Sequence, residues 1–533
     1  MKSDKIINVL MLLGVACCLV AVWTPAYFLT GDGPCHVENA QILHDFWVNH
    51  NTALYSRFFE VVYLPNPNWM STVVMALLLF VVKGVIAEKI FISVYVLLYL
   101  GGFYLLLRKL NGGNSWWLLS IFIFVFTHTL FKGFYNFSFS IAFYFWVVWC
   151  WLRFMERRNL LNGLLVTLFT GLIFFTHLLA FVFAAFTCGA LIVTYAFAAD
   201  TGIALKQRFV CLFKAAAFLG LFLSPFLIIM RWFTEKEGGM QIKLEHHFRR
   251  LKELAEFNYI INVQEQEVLF AKVAGITLLL LGGLTLLRFR KGIKIHRYDG
   301  FLLSLLFVTF VYLSFPEDFM GRLILITMRA QLFVFIMMAC CVSYMLPSEK
   351  IKNAGGIVLF GCFLVLCFIR IPCLVSAGEA VTDINSSIPC IKPNSVVLPL
   401  DFAPNGKDKN GNMVADRNWL FSHACQYIGT IKPMVVLDNY EANMGYFPLR
   451  WKPETNPYLH LSKAQGIEEH PPCADLAGYK HSSGVTVDYI LMWGFDSSAL
   501  KNENFNQFYS EINAGYKIIY RSATNRTILY AKE

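Results

Sequence analysis

The first cluster of polar groups in this sequence directly follows the opening apolar segment and contains Asp32, Pro34, His36 and Glu38. A carboxylate there could act as a general base or bind a cation, and a histidine four residues later could assist. Asp shortly before a helix-starting Pro is also typical of a helix N-cap, which is a purely structural role. Asp32, His36 and Glu38 are therefore catalytic candidates, with helix capping as the alternative for Asp32.

Further polar groups occur at or within the ends of later apolar segments. Ionisable side chains inside membrane segments are costly, so they indicate function by default. A snorkelling Lys or a His bonded to a carbonyl is the structural alternative for any one of them. Arg329 is predicted about two turns inside its segment, where a guanidinium without an anion would be expensive. The candidates for substrate binding are Lys132, Asn136, His177, Asp318, Arg322 and Arg329.

Composition defines the class of protein. The chain has 533 residues, of which 57% are hydrophobic and only 15% charged, whereas soluble domains carry about 25% charged residues. A polytopic α-helical membrane protein is therefore predicted. The net charge of +10 is attributed to cytoplasmic Lys and Arg, and no compact basic domain indicates nucleic-acid binding. No nucleotide loop, zinc signature or nucleophile elbow is present, so ATP coupling and redox cofactors lack support.

Apolar segments of about 20 residues predict roughly eleven transmembrane helices. Residues 70–82 are apolar but short, and we interpret them as an interfacial or re-entrant helix; a true span there would reverse every later orientation. The opening segment is interpreted as a retained anchor rather than a cleaved signal. The predicted spans are 6–28, 88–107, 115–131, 137–153, 159–175, 177–199, 209–231, 268–287, 300–315, 323–346 and 355–376.

The positive-inside rule sets the orientation. Lys and Arg are about four times denser in one set of predicted loops than in the other. This places the N-terminus in the cytoplasm and the C-terminal domain outside, on the periplasmic side of a bacterial inner membrane. All the polar candidates above then face the outer half of the membrane.

One outer segment, residues 240–257, has a basic face and an apolar face at helical spacing. This pattern is typical of a helix lying in the membrane interface. Two readings stay open: attraction of the basic face to lipid headgroups, or a flap over a lipid-phosphate substrate.

The sequence changes character after residue 376, so we predict a membrane domain at 1–376, with 29–87 as its first outer loop, and a small α/β domain at 377–533. Strands are predicted at 395–400, 485–493, 517–520 and 527–530, and helices at 419–428 and 498–514. Cys390, Cys425 and Cys473 lie in this domain, and an oxidising compartment predicts at least one disulfide among them.

Four short motifs resemble the GT-C superfamily of membrane glycosyltransferases. They are DGPCH at 32–36, PNPN at 65–68, AEKI at 87–90 and GFYNF at 133–137. Members of that superfamily have a first span, a long outer loop that opens with an acidic residue, two juxtamembrane helices and a multi-span bundle. The resemblance covers roughly residues 1–376. It departs from many relatives at Gly33, where they carry a second acidic residue, so Glu38 or Asp318 would have to supply that carboxylate.

The resemblance implies transfer of a sugar from a polyprenyl-phosphate carrier to an acceptor at the outer membrane face. The acceptor hydroxyl needs a base, and the leaving lipid phosphate needs Arg, Lys or a metal ion. The expected partners are the polyprenyl-phosphate-linked sugar donor and membrane lipids. The sequence names no cofactor and leaves a divalent metal ion open. The alternative functions are a transporter or flippase-like protein, and a non-catalytic membrane scaffold with an outer binding domain.

Overall fold

The structure is a computed structural model that describes residues 2–63, 66–198, 204–234, 247–261, 263–292, 294–319, 323–462 and 466–533. It is mostly helical (67%), with a small sheet region near the C-terminus. Eight helices among the described residues are long and apolar enough to cross a membrane. They are α1 Lys2–Trp23, α5 Gly84–Asn111, α7 Tyr135–Glu156, α9 Leu178–Phe197, α10 Leu205–Thr234, α12 Val268–Thr285, α14 Ile326–Met345 and α15 Glu349–Asn385.

Three shorter apolar segments complete the bundle. The first combines a 3₁₀ helix, Trp116–Phe124, with α6 His128–Phe131, and the others are α8 Leu160–Thr176 and α13 Gly300–Ser314. Together with the eight long helices, they coincide with the eleven segments predicted from hydropathy. The membrane character of the chain is thus supported, whereas the number of crossings stays a prediction.

The loop between α1 and α5 folds into short elements: α2 Gly33–Trp47, α3 Thr52–Phe58, strand β1 Phe59–Val61 and α4 Met70–Leu78. Pro34 at the start of α2 provides the fixed φ that a first helical turn needs. Helix α4 has nine residues and therefore extends about 14 Å, less than half of the bilayer core of about 30 Å. This supports the prediction that residues 70–82 do not span.

Helix α15 has 37 residues and runs without a break through the predicted domain boundary at 376/377. The strands of the C-terminal sheet that follows are β4 Ser395–Asp401, β5 Met434–Val436, β7 Tyr489–Trp493, β8 Tyr516–Arg521 and β9 Thr527–Lys532. Their order in the sheet is β5-β4-β7-β9-β8. Strand β4 is parallel to β5 and β7, while β9 is antiparallel to β7 and β8.

Both faces of this sheet are covered, which explains why β4 is a continuous apolar run rather than an alternating one. Val397 packs into the core shared with the long apolar helices, and its neighbour Val396 packs into a separate core on the other face. Short helices surround the sheet. They are α16 Tyr427–Ile431, α17 Tyr440–Asn443, α18 Pro457–His460, α19 Leu476–Ser483 and α20 Glu503–Gly515.

The first loop and the C-terminal domain form one packed unit. Strand β1 pairs antiparallel with β6 Leu449–Trp451, and the rings of Phe59 and Trp451 lie 4.2 Å apart. Nearly four hundred residues separate the two strands, so this pairing was not visible in local patterns. It brings the loop that begins at Asp32 under the C-terminal domain.

Some predictions for the C-terminal domain were wrong. The helix expected at 419–428 is instead a 3₁₀ turn at Ala424–Gln426 followed by the short α16. All fourteen cysteines lie in the described residues as free thiols, so the structure has no disulfide among Cys390, Cys425 and Cys473. The reason is placement: Cys390 is exposed, and the other two belong to different hydrophobic cores.

Candidate functional site

A cavity of about 50 Å³ lies between the long apolar helices and the C-terminal domain. Asp32, His36, Asn136, His177 and Arg329 all line it, so the convergence predicted from the sequence is observed for these five side chains. The remaining lining residues are Asn68, Gly133, Phe134, Tyr135, Phe137, Tyr440, Glu441, Tyr446 and Phe447.

Close backbone packing positions Asp32. Its N–H donates to the carbonyl of Lys132 at 3.0 Å, and the N–H of Gly31 donates to the carbonyl of Phe131 at 3.0 Å. Gly133 has φ +88°, and a Cβ there would lie 2.2 Å from the Asp32 nitrogen. Only glycine satisfies both the conformation and the close approach at position 133. The loop before α7 therefore fixes the backbone position of the start of α2 by hydrogen bonds and close packing.

Asp32 occupies the N-cap position of α2, but among the described residues its side chain makes no capping hydrogen bond. Its side chain is instead 22% exposed, and His423 Nε2 lies 3.9 Å from Asp32 Oδ1. Burial raises the pKa of Asp32, while the charges of His423, His36, Lys132 and Arg329 oppose that rise. The alternative of a simple cap thus loses its basis, and the carboxylate remains available for chemistry.

His36 is held at both ring nitrogens. Nε2 lies 3.0 Å from the carbonyl oxygen of Gly133, and Nδ1 lies 2.8 Å from Glu441 Oε1. A carbonyl can only accept, so Nε2 carries a proton, and the carboxylate favours a second proton on Nδ1. Burial alone lowers the pKa of His36, but Glu441 and Asp32 raise it above its ordinary value. Both ring nitrogens are thus engaged, so His36 joins two parts of the fold and is not an available base.

Glu441 continues this contact into a buried network. Its Oε2 accepts from Asn39 Nδ2 at 3.0 Å, and the Oδ1 atom of Asn39 accepts from Asn439 Nδ2 at 2.7 Å. The indole of Trp451 donates to the Asn439 carbonyl at 2.8 Å. These hydrogen bonds hold helix α2 against the segment 439–451. A buried polar network whose groups all have partners favours one specific packing of the two segments.

The catalytic prediction for Glu38 is not supported by its position. Glu38 is buried, does not line the cavity, and points at α16, where its Oε1 lies 2.3 Å from the position of a Cβ on Gly429. Among the described residues neither carboxylate oxygen has a hydrogen-bond partner. Burial, with Asp438 nearby, raises the pKa of Glu38 well above its ordinary value. The second carboxylate at the cavity is Glu441, from the C-terminal domain.

Of the predicted substrate contacts Lys132 and Asn136, only Asn136 lines the cavity. Lys132 lies beside the cavity rather than in its lining, and burial lowers its pKa although Asp32 opposes that effect. The Asn136 amide donates to the carbonyl of Asn68 at 3.1 Å and accepts from the Ser71 N–H at 2.8 Å. Asn136 thereby fixes the start of α4, and its polar atoms are already in use.

His177 and Arg329 form the other wall of the cavity. His177 Nδ1 accepts from the Leu179 N–H at 3.2 Å, so the proton of the neutral ring is on Nε2. The Arg329 guanidinium lies over the rings of Phe134, at 4.8 Å, and Phe137, at 5.5 Å. Because α14 begins at Ile326, Arg329 is in its first turn rather than two turns inside.

Two further predicted residues cannot be placed. Asp318 begins the two-residue strand β2 Asp318–Phe319, which pairs with β3 Leu323–Ile324, but its side chain lies outside the described part of the chain. Arg322 lies outside the described residues altogether. Among the residues that are described, no group of three or more His, Cys, Asp or Glu side chains is arranged to hold a metal ion.

The predicted amphipathic segment 240–257 is described only from residue 247, as α11 His247–Glu256. Arg250 of this helix is buried and donates to the carbonyls of Tyr312 and Leu313, each at 3.0 Å. Helix α11 borders a second cavity of about 470 Å³, which Thr327, Met328 and Gln331 of α14 also line. Its position beside a cavity is compatible with the flap interpretation, which stays a prediction.

Sequence reasoning missed the contribution of the C-terminal domain: His423, Asp438, Tyr440, Glu441 and Tyr446. A signal for part of it was present. Asp401 ends β4 and Asp438 closely follows β5, and these two strands are parallel. Carboxyl ends of neighbouring parallel strands meet at one edge of a sheet, where ligands commonly bind. The three-residue length of β5 concealed this pattern.

Comparison with known proteins identifies no relative, so the functional assignment depends on the geometry of the site. No protein-family model matches the chain, and no curated protein matches it significantly.

Proposed function

We propose that this protein is an integral membrane glycosyltransferase of the GT-C type, which moves a sugar from a polyprenyl-phosphate carrier to an acceptor at the outer face of the membrane. The observation that carries this proposal is that Asp32 and Arg329 line one cavity at the end of the candidate spans. A carboxylate and a guanidinium in one site supply a base for the acceptor and a contact for the leaving phosphate.

The roles follow from the chemistry of the groups. Asp32 takes the proton of the acceptor hydroxyl as its oxygen attacks the anomeric carbon of the sugar. Arg329 stabilises the phosphate that leaves with the lipid, because a planar guanidinium matches two phosphate oxygens. The N–H at His177 Nε2 is a neutral donor on the same wall. Phe134 and Phe137 hold the guanidinium by cation–π contacts.

The position of the cavity also fits a lipid-borne donor better than the two alternatives. Asn136 and Arg329 lie in the first turns of α7 and α14, whereas a transporter would place polar groups near the middle of its helices. A scaffold would not require Asp32 and Arg329 to share a cavity. Under the predicted orientation this end of the bundle faces outward, where the C-terminal domain covers it.

The donor contact can be tested without knowing the sugar or the acceptor. Purified protein in detergent is titrated with a short-chain polyprenyl monophosphate and, separately, with the corresponding neutral polyprenol. We expect the wild-type protein to prefer the phosphate, and Arg329→Ala to lose about 10- to 100-fold in phosphate affinity, the range for hydrogen bonds to a charged group. Arg329→Lys should recover only part of that affinity, since a point charge does not reproduce the planar fork.

Arg153→Ala is the matched control. Arg153 is exposed at the far end of α7 and contacts the ring of Trp149 by a similar cation–π interaction. Its substitution should leave the affinity for polyprenyl phosphate unchanged. Equal binding of the phosphate and the alcohol by the wild-type protein, or an Arg329→Ala variant with full phosphate affinity, would remove the basis of the proposal.

A further inference from the structure

His423 links the carboxylate of Asp32 to a second carboxylate in the C-terminal domain. Its Nε2 lies 3.9 Å from Asp32 Oδ1, and its Nδ1 lies 3.2 Å from Asp438 Oδ2. The ring is also fixed from the side, because it stacks on Tyr440 at 5.8 Å with an interplanar angle of 15°. Tyr458 donates to Asp438 Oδ1 at 3.4 Å, which fixes the second carboxylate in turn.

An imidazole between two carboxylates is favoured in its charged form. Burial alone lowers the pKa of His423, but Cys35 and Asp438 raise it well above the ordinary value. Among the effects on the pKa of Asp32, the charge of His423 is the largest that opposes burial. A largely buried carboxylate would otherwise tend to hold a proton and could not act as a base.

Other charged and titratable groups also influence the pKa values of Asp32 and His423. A titration of Asp32 therefore reports the combined effect of all of them. The further charged and titratable groups around Asp32 are His36, Lys132, Arg329, Tyr135, Tyr440, Glu441, Tyr446 and Glu468. Those around His423, besides Asp32 and Asp438, are Cys35, Asp401, Cys425, Tyr440 and Glu468.

We propose that His423, held by Asp438, is a positioning residue that keeps Asp32 ionised in the cavity. The C-terminal domain is then part of the reaction site as well as its cover, because it supplies the cation that makes the membrane-side base effective. This inference rests on the proposed function in one respect: it treats Asp32 as the base. The electrostatic link itself can be measured without substrate.

The test is an infrared titration of the Asp32 carboxyl in the full-length purified protein. Its protonated C=O band is identified as the band that disappears in Asp32→Asn, and its pH midpoint is then followed. In His423→Gln we expect the midpoint to rise by roughly one pH unit or more, the usual effect of an opposite charge at this range. Asp438→Asn should move it in the same direction by less, since the imidazole remains. His481→Gln, an exposed histidine of the same domain, should not move it.

The outcomes separate the claims. A purely structural His423 would alter thermal stability without moving the midpoint, and an unchanged midpoint in a folded His423→Gln variant overturns the proposal. Should that variant not fold, Asp438→Asn decides in the same way. If the midpoint shifts as expected but Asp32→Asn retains sugar transfer, the link between His423 and Asp32 stands and the assignment of Asp32 as the base fails.

Discussion

His36 Nδ1 and Glu441 Oε1 lie 2.8 Å apart and form a buried ion pair between the loop after the first apolar helix and the C-terminal domain. Their side chains are only 3% and 2% exposed. The contact fixes α2, and with it Asp32, relative to the aromatic residues that close the cavity. A change at either partner should therefore alter both stability and the shape of the site.

The first prediction concerns this pair. Glu441→Gln breaks this buried pair by removing the carboxylate partner, so the free energy of unfolding should fall by about 3–5 kcal/mol. Because the pKa of His36 is raised in the folded state, its contribution to stability is full at pH below its unfolded value and is lost as the pH rises through the folded value. Thermal unfolding at several pH values checks both statements. The exposed Glu454→Gln is the control, and a similar loss in both variants would contradict the assigned role.

Gly133 allows a second prediction. Gly133→Ala should be much more harmful than Gly112→Ala, although both glycines have positive φ, at +88° and +75°. At position 112 the new Cβ meets no described atom within 4 Å, so only backbone strain of about 1–2 kcal/mol is expected. At position 133 it would also displace Asp32. Unfolding and polyprenyl-phosphate binding measured on both variants test this; equal effects would show that the Asp32 contact does not matter.

Asp32 itself gives the third prediction. Burial raises its pKa, so the ionised carboxylate costs stability at neutral pH and gives it back only as the pH falls and the group is protonated. Asp32→Asn should therefore fold at least as well as the wild type. Transfer should drop by about 100-fold or more, the usual scale for losing a general base.

The acid limb of the wild-type pH–rate profile should lie above the ordinary aspartate pKa for the same reason. Asp32→Ala should resemble Asp32→Asn in stability, since the side chain makes no capping bond within the described structure. An Asp32→Asn protein with near-normal transfer would return Asp32 to a structural role.

A fourth prediction uses the accessibility of a cysteine to test the membrane orientation. Among the three cysteines after residue 376 that were expected to form a disulfide, Cys390 is exposed while Cys425 and Cys473 are buried. A membrane-impermeant maleimide applied to intact cells should label a variant whose only cysteine is Cys390, if the C-terminal domain is outside. Labelling only after the cells are opened would reverse the orientation and move the cavity to the cytoplasmic face.

The sequence by itself determined the membrane class, the apolar segments and the prominence of Asp32. These follow from composition and from hydrophobic runs, which are local properties. It also held information that the prediction did not use. On an α-helix each residue is rotated by about 100° from the one before it, so residues i and i+2 lie about 200° apart around the axis. His36 and Glu38 therefore had to face different sides of α2. The structure shows this, with His36 at the cavity and Glu38 against Gly429.

Only the tertiary structure decided which groups complete the site. His423, Asp438 and Glu441 follow Asp32 by about four hundred residues, and the pairing of β1 with β6 brings that part of the chain over α2. The structure also decided that the Asn136 amide is committed to holding α4. The physical reason is that burial and hydrogen bonding depend on neighbours distant in sequence, and these neighbours determine whether a polar side chain remains available for chemistry.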